Sequence, residues 1–293
     1  MSKSVIVTFI RHGESTDNLR SVWAGWQDAP LSNHGVNQAR ALGEFFADTP
    51  FTAIHASDLK RAFATAQALY DGQKDSKPTF DSSELLREQN FGVAEGKPWS
   101  YKALTGLTLE EQIAQGVYPV LYGNGEKFPE GESINDLAER AKRAVDKLVL
   151  PHVWKAAKEG RTGIHIAIVS HGLCISQLIS ELIKTSAKQD AQGDYRGLLN
   201  TAWTRVEIDI EGAQEDQSIA LDDVHPLLVI RVTDVNRHSH IDNVTRQKGG
   251  IGSAAYDPKQ KDIRAFFGGK TENLSISESN AHDEVTGTGD TAK

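Results

Sequence analysis

A run of β-branched and aromatic residues, Val5-Ile-Val-Thr-Phe-Ile10, lies near the start of the chain. It is too short for a helix and reads as a buried strand. Leu31-Ser-Asn-His-Gly35 offers Ser32 as a cap for a helix reaching about Phe46, with Ala39, Leu42, Phe45 and Phe46 on one face. Residues 51–56 predict a short strand, after which Ser57 or Asp58 caps a helix through Tyr70. Ser133 opens a long helix in which Ile134, Leu137, Ala141, Val145 and Leu148 recur at helical spacing. Residues 164–169 read as a second buried strand, followed by a helix over about 173–184. Two further strands are expected at 204–210 and 227–232. This alternation of strand and helix predicts an α/β domain with a mostly parallel sheet covered on both faces.

Between these elements the pattern weakens. Residues 97–132 mix faint helical signals with Gly106, Gly116, Gly123 and Gly125, and read as a substrate-facing insertion over the scaffold. Residues 211–223 carry five carboxylates and read as a solvated loop. The expected divisions are a catalytic domain over 1–235, an extension packing on or near it over 236–269, and a disordered tail over 270–293, where Gly, Ser, Thr, Asn and Asp dominate.

Composition narrows the function classes. The net charge of −8 argues against a broad basic surface for nucleic-acid phosphate, and no direct nucleic-acid binding is expected, although it leaves room for one basic pocket. The single cysteine, Cys174, excludes an intrachain disulfide framework and a cysteine-based zinc site. Val5–Ile10 is too short for the core of a signal peptide, and no stretch approaches the roughly 20 apolar residues of a membrane span. The expectation is a cytoplasmic protein, with the nucleus also open to it, and no membrane partner.

Two of the strands run directly into histidines. The first continues into Arg11-His12-Gly13-Glu14 and the second into Ser170-His171-Gly172. Ligands of open α/β sheets bind beyond the carboxyl ends of strands, so both histidines stand where a site is expected. The glycine after each lets the backbone turn sharply beside a ligand.

Ile10-Arg11-His12-Gly13-Glu14-Ser15, with Asn18, resembles the signature of the histidine phosphatase superfamily, the family of phosphoglycerate mutases and their phosphatase relatives. The resemblance continues in order through the segment 25–32, then Ser57-Asp58-Leu59-Lys60-Arg61, Leu86-Arg87-Glu88, Phe91-Gly92-Val93-Ala94-Glu95-Gly96, Pro129-Glu130-Gly131-Glu132-Ser133 and Val169-Ser170-His171-Gly172. It covers about residues 4–235 and implies a three-layer α/β/α sandwich of the phosphoglycerate-mutase type. It also implies roles: His12 as the nucleophile that becomes phosphohistidine, and Glu88 as general acid and base. Arg11, Arg61 and an imidazolium at His171 would complete the catalytic set, with Asn18, Gly25 and Gly172 joining them around the phosphate. No metal or other cofactor is implied, because the cationic pocket neutralises the phosphate. Tyr101 and Lys102 are further candidates for substrate contact.

Three features separate the branches of that family. A mutase needs cations for a second anionic group, yet residues 97–133 contain no arginine, only Lys97, Lys102 and Lys127. Ala24 stands where the mutases carry a small hydroxyl residue, and the Phe91-Gly92-x-x-Glu95-Gly96 pattern resembles the phosphatase branch. The expectation is a phosphomonoester hydrolase acting on a small phosphorylated substrate. The alternatives are a phosphoglycerate-type mutase, or a catalytically weak binding or scaffold protein working through its C-terminal extension. In that extension Gln260, Ile263, Phe266 and Phe267 resemble the peptide by which nuclear proteins dock on the DNA sliding clamp. The plainer reading is a turn that clips the tail onto the domain.

Overall fold

The computed structural model describes residues 5–74, 77–187, 193, 195–211 and 226–257. A central sheet is built from β1 (Val5–Arg11), β2 (Ala53–Ala56), β3 (Thr79–Ser82), β6 (His165–Ser170), β7 (Trp203–Ile210) and β8 (Leu228–Arg237), in the spatial order β3-β2-β6-β1-β7-β8. β3, β2, β6 and β1 pair in parallel, while β7 and β8 join antiparallel. A separate pair, β4 (Trp99–Ser100) and β5 (Tyr118–Pro119), lies in the insertion, flanking the short helix α3 (Leu109–Ala114).

Alternation along the strands sorts side chains between two cores. Val5, Val7 and Phe9 of β1, with Ile166 and Ile168 of β6, pack with α4 (Ile134–Ala144), α5 (Leu150–Glu159) and α6 (Gly172–Lys184). Ile10, Ala167 and Val169 face the other way, toward α1 (Asn33–Phe45) and α2 (Lys60–Gly72), where Leu42, Phe46, Ala66 and Leu69 fill the layer. A mixed, mostly parallel sheet between two helical layers is the α/β sandwich that the alternation predicted.

Several local expectations need correction. Phe45 is 46% exposed rather than buried with Phe46, although it meets His240 with ring centroids 5.6 Å apart. Helix α2 is not capped by Ser57 or Asp58. Its N-cap is Leu59, and the Lys60 N–H donates instead to Asp28 Oδ1 at 2.7 Å. Asp58 is taken by Arg87, and Ser57 faces the site described below. The long helix after Ser133 passes through a π-turn, Val145–Val149, into α5, which carries Pro151 in its first turn. Proline cannot donate to the preceding turn, and the wider π-turn shifts the phase of the helix past it. Strand β8 runs five residues beyond the expected Val232, with burial falling off along it as befits an edge strand.

Residues through Tyr256 form one compact unit, so the stretch just after β8 belongs to the same body as the sheet. The Asn33 N–H donates to Ala254 O at 3.0 Å, and the Tyr256 N–H to Leu31 O at 3.0 Å. Most of the acidic loop, the expected disordered tail and the clamp-like residues Gln260, Ile263, Phe266 and Phe267 lie outside the described residues. Among the described residues no helix is long and apolar enough to cross a membrane.

Candidate active site

β1 and β6 lie side by side with Arg11 opposite Ser170, so the residues after them arrive together. The rings of His12 and His171 have centroids 4.9 Å apart, and both side chains are buried. His12 Nδ1 lies 2.6 Å from the Gly13 carbonyl oxygen. A carbonyl only accepts, so Nδ1 holds the hydrogen and Nε2 keeps its lone pair. Burial first, then the charges of Arg61 and Arg11, push the His12 pKa well below that of an ordinary histidine. The ring is therefore neutral, the form a nucleophile requires.

His171 departs from the expected imidazolium. Burial, then Arg61, His12 and Arg11, push its pKa well down as well, so it too is neutral. Its Nε2 lies 2.9 Å from Ser57 Oγ, which also accepts from the Leu59 N–H at 3.3 Å. The Ser57 hydroxyl has a hydrogen to give and a second lone pair to offer, so it can partner either tautomer of the neutral ring. The buried Nδ1 has no hydrogen-bond partner among the described residues.

Two guanidinium groups flank the histidines. Arg61, in the first turn of α2, is 2% exposed and donates to Gln27 O and Gly25 O, each at 2.7 Å. Gly25 has φ +46°, and a Cβ there would run into the Glu95 carboxylate. Glu95 itself accepts from the Trp26 and Phe91 N–H groups, which fixes the turn that Arg61 holds. Arg11 donates to Leu198 O, and its buried Nε has no partner. Burial lowers the pKa of both arginines and Glu88 opposes this, but guanidinium stays charged at neutral pH. Asn18 Oδ1 accepts from the Ser15 N–H and from Asn200 Nδ2, which leaves its amide hydrogens to be the donors it offers the cavity.

Glu88 meets this cluster from the start of α6. Its Oε1 accepts from the Cys174 and Gln89 N–H groups at 3.0 Å, and its Oε2 from the Leu173 N–H at 3.2 Å. The first turn of a helix has unpaired N–H groups, and a carboxylate is a favourable partner for them.

Arg11, His12, Asn18, Gly25, Arg61 and Glu88 line one cavity of about 1290 Å³. His171 and Gly172 do not form its wall: His171 packs beneath His12, and Gly172 starts the helix that holds Glu88. Tyr101 lines the cavity, whereas Lys102 does not; its N–H turns back to Ser100 Oγ. Among the described residues no three His, Cys, Asp or Glu side chains are grouped to hold a metal ion.

Comparison with known proteins shows the family. Residues 7–218 match the family model described as histidine phosphatase superfamily (branch 1). The chain belongs to that superfamily. It is 32% identical over 179 residues to a probable phosphoglycerate mutase of Yersinia pestis, covering 60% of this chain and 74% of that one. Among solved structures it resembles a mycobacterial glucosyl-3-phosphoglycerate phosphatase, with TM-score 0.54 and 26% identity over 80% of this chain and 99% of that one. A phosphoglycerate mutase from Bacillus anthracis shares the fold, with TM-score 0.56 and 24% identity over 83% and 97% of the two chains.

Sequence reading missed three supporting residues. Ser57 holds the His171 ring through its hydroxyl at 2.9 Å. Arg140 reaches the loop before Glu88, donating to Leu85 O, Arg87 O and Glu88 O, and it is held from behind by both oxygens of Glu132. A signal existed here: a charged residue interrupts the apolar stripe of Leu137, Ala141 and Ala144. The third, Arg246, pairs with Glu14 across 232 residues.

Proposed function

We propose that this protein is a phosphomonoester hydrolase working through a phosphohistidine at His12. The observation that carries this reading is the tautomer of His12. A neutral ring, its Nδ1 spent on Gly13, stands in the field of the Arg61 and Arg11 guanidinium groups with its Nε2 lone pair uncommitted.

In the first step His12 Nε2 attacks phosphorus, the P–O ester bond breaks, and the Glu88 carboxyl gives its proton to the leaving alkoxide. In the second, the Glu88 carboxylate takes a proton from water, whose oxygen attacks the phosphohistidine and breaks the P–N bond. Inorganic phosphate leaves and the neutral imidazole is restored. Throughout, Arg11, Arg61 and the Asn18 amide donate to the equatorial oxygens, where charge is greatest in the transition state.

Hydrolysis is favoured over phosphoryl return by the makeup of the wall. The insertion contributes one cation to the cavity, Lys127, and that lysine is paired with Asp136 at 2.8 Å. Ala24 lines the cavity without a donor. The test is p-nitrophenyl phosphate hydrolysis in EDTA, comparing wild type with His12→Ala. Turnover in the wild type and its loss in the variant support the reading; equal turnover, or none together with no acid-labile label on His12, refutes it.

A further inference from the structure

The cavity extends well beyond what a phosphate needs. Its volume of about 1290 Å³ exceeds the roughly 300–1000 Å³ that accommodates a drug-sized ligand. One stripe of α6 forms its long side: Leu173, Ser176, Gln177, Ser180, Ile183 and Lys184. The stripe starts at the turn that binds Glu88 and, at 1.5 Å per residue, runs on for about 16 Å. A three-carbon phosphoester bound at His12 leaves most of that length to water.

The chemistry of the extra wall is specific. Gln177, Ser180, Asn124 and Asn135 bring uncharged donors and acceptors. Trp99, Tyr101 and Tyr122 bring ring faces, and the two tyrosines are 73% and 78% exposed. The charged side chains here are already matched. Lys127 pairs with Asp136 at 2.8 Å and Lys184 with Glu181 at 2.6 Å. Glu126 accepts from the Tyr122 and Gly123 N–H groups, Glu132 pairs with Arg140, and Arg196 is not without a partner. A second anionic group on the substrate would have to share a lysine with the carboxylate already on it. A neutral ring bearing hydroxyl groups would stack on the aromatics and bond the amides without disturbing them.

We infer that the cavity along α6 is a subsite for a neutral, hydroxyl-rich ring system, so that the substrate is the phosphomonoester of a glycoside or nucleoside rather than a compact three-carbon phosphate or a bisphosphate. This rests on the hydrolase reading above, which supplies the phosphate end.

The test uses the full-length protein and four substrates: glycerol 1-phosphate, a three-carbon bisphosphate, a disaccharide monophosphate and a nucleoside 5′-monophosphate. At least one ring-bearing ester should exceed both three-carbon esters in kcat/KM by about tenfold or more, and whichever of the two leads identifies the source of the ring. Parity, or preference for the bisphosphate, overturns the inference. Ser180→Trp, which narrows the stripe, should lower the ratio of ring-bearing to three-carbon turnover; an unchanged ratio overturns it as well. If the wild type hydrolyses nothing, including p-nitrophenyl phosphate, and His12 takes no acid-labile label, the hydrolase reading falls, and calorimetric binding to His12→Ala protein decides the subsite instead. Ring-bearing esters should then bind about tenfold tighter than three-carbon ones, and equal binding overturns the inference alone.

Discussion

Glu14 and Arg246 form a two-pronged ion pair that ties the segment after the sheet to the loop carrying His12. Both guanidinium nitrogens of Arg246 reach the carboxylate, and Ser32 Oγ donates to the same Glu14 Oε1 at 2.7 Å. Glu14 does not pair with the neighbouring Arg11. It takes Arg246 instead because Arg11 turns to Leu198 O. The partnership lowers the Glu14 pKa although burial opposes it.

Removing Arg246 leaves a mostly buried carboxylate without its cation. We expect Arg246→Ala to cost roughly 1–3 kcal/mol, less than a fully buried pair because the arginine is partly exposed. Urea denaturation measures this. Arg246→Lys should recover only part, since lysine cannot present a fork.

The Arg140–Glu132 pair supports the loop that presents Glu88. Arg140→Lys should lower kcat about tenfold or more with a smaller change in KM, because the phosphate donors stay in place. Steady-state kinetics separates the two constants, and a change in KM alone would contradict a positioning role. Glu132→Gln, which keeps the shape but not the charge, should lie between wild type and Arg140→Lys.

Gly35 sits where α1 passes the His12 loop. A Cβ there would run into the Glu14 carbonyl oxygen, a backbone atom that cannot swing aside. In an open helix Gly→Ala stabilises; here Gly35→Ala should destabilise by about 2 kcal/mol or more. A higher Tm for the variant would contradict the close approach.

Acid should weaken the fold through its neutral histidines. Burial pushes the His165 pKa down to about 3 and that of His240 to about 4, and lowers those of His12 and His171. The unfolded chain takes up protons near pH 6.5 that the folded one refuses. Stability is thus fully present above about pH 6.5 and is lost as the pH falls below it. At pH 5, His165 alone contributes about 2 kcal/mol of this loss. Chemical denaturation between pH 7 and 5 should show the slope, and His165→Gln should flatten it.

The sequence by itself determined the scaffold and the reactive cluster. Short β-branched runs ending in Arg11-His12-Gly13 and His171-Gly172 dictate strands whose ends meet in a parallel sheet. Hydrophobic period is local information, so β1, β6, α1 and α6 were legible within a residue or two. The tertiary structure decided protonation, support and reach. His171 is neutral because burial and neighbouring guanidinium groups outweigh its intrinsic basicity, and its ring is held by the hydroxyl of Ser57, 114 residues away. Leu59 displaced the expected cap of α2 because Ser57 and Asp58 had distant partners that local propensity cannot foresee. Arg140 and Arg246 became supports only when folding brought carbonyls and a carboxylate to them. The length of the cavity along α6 likewise arises from packing the insertion beside a helix, which no pattern along the chain encodes.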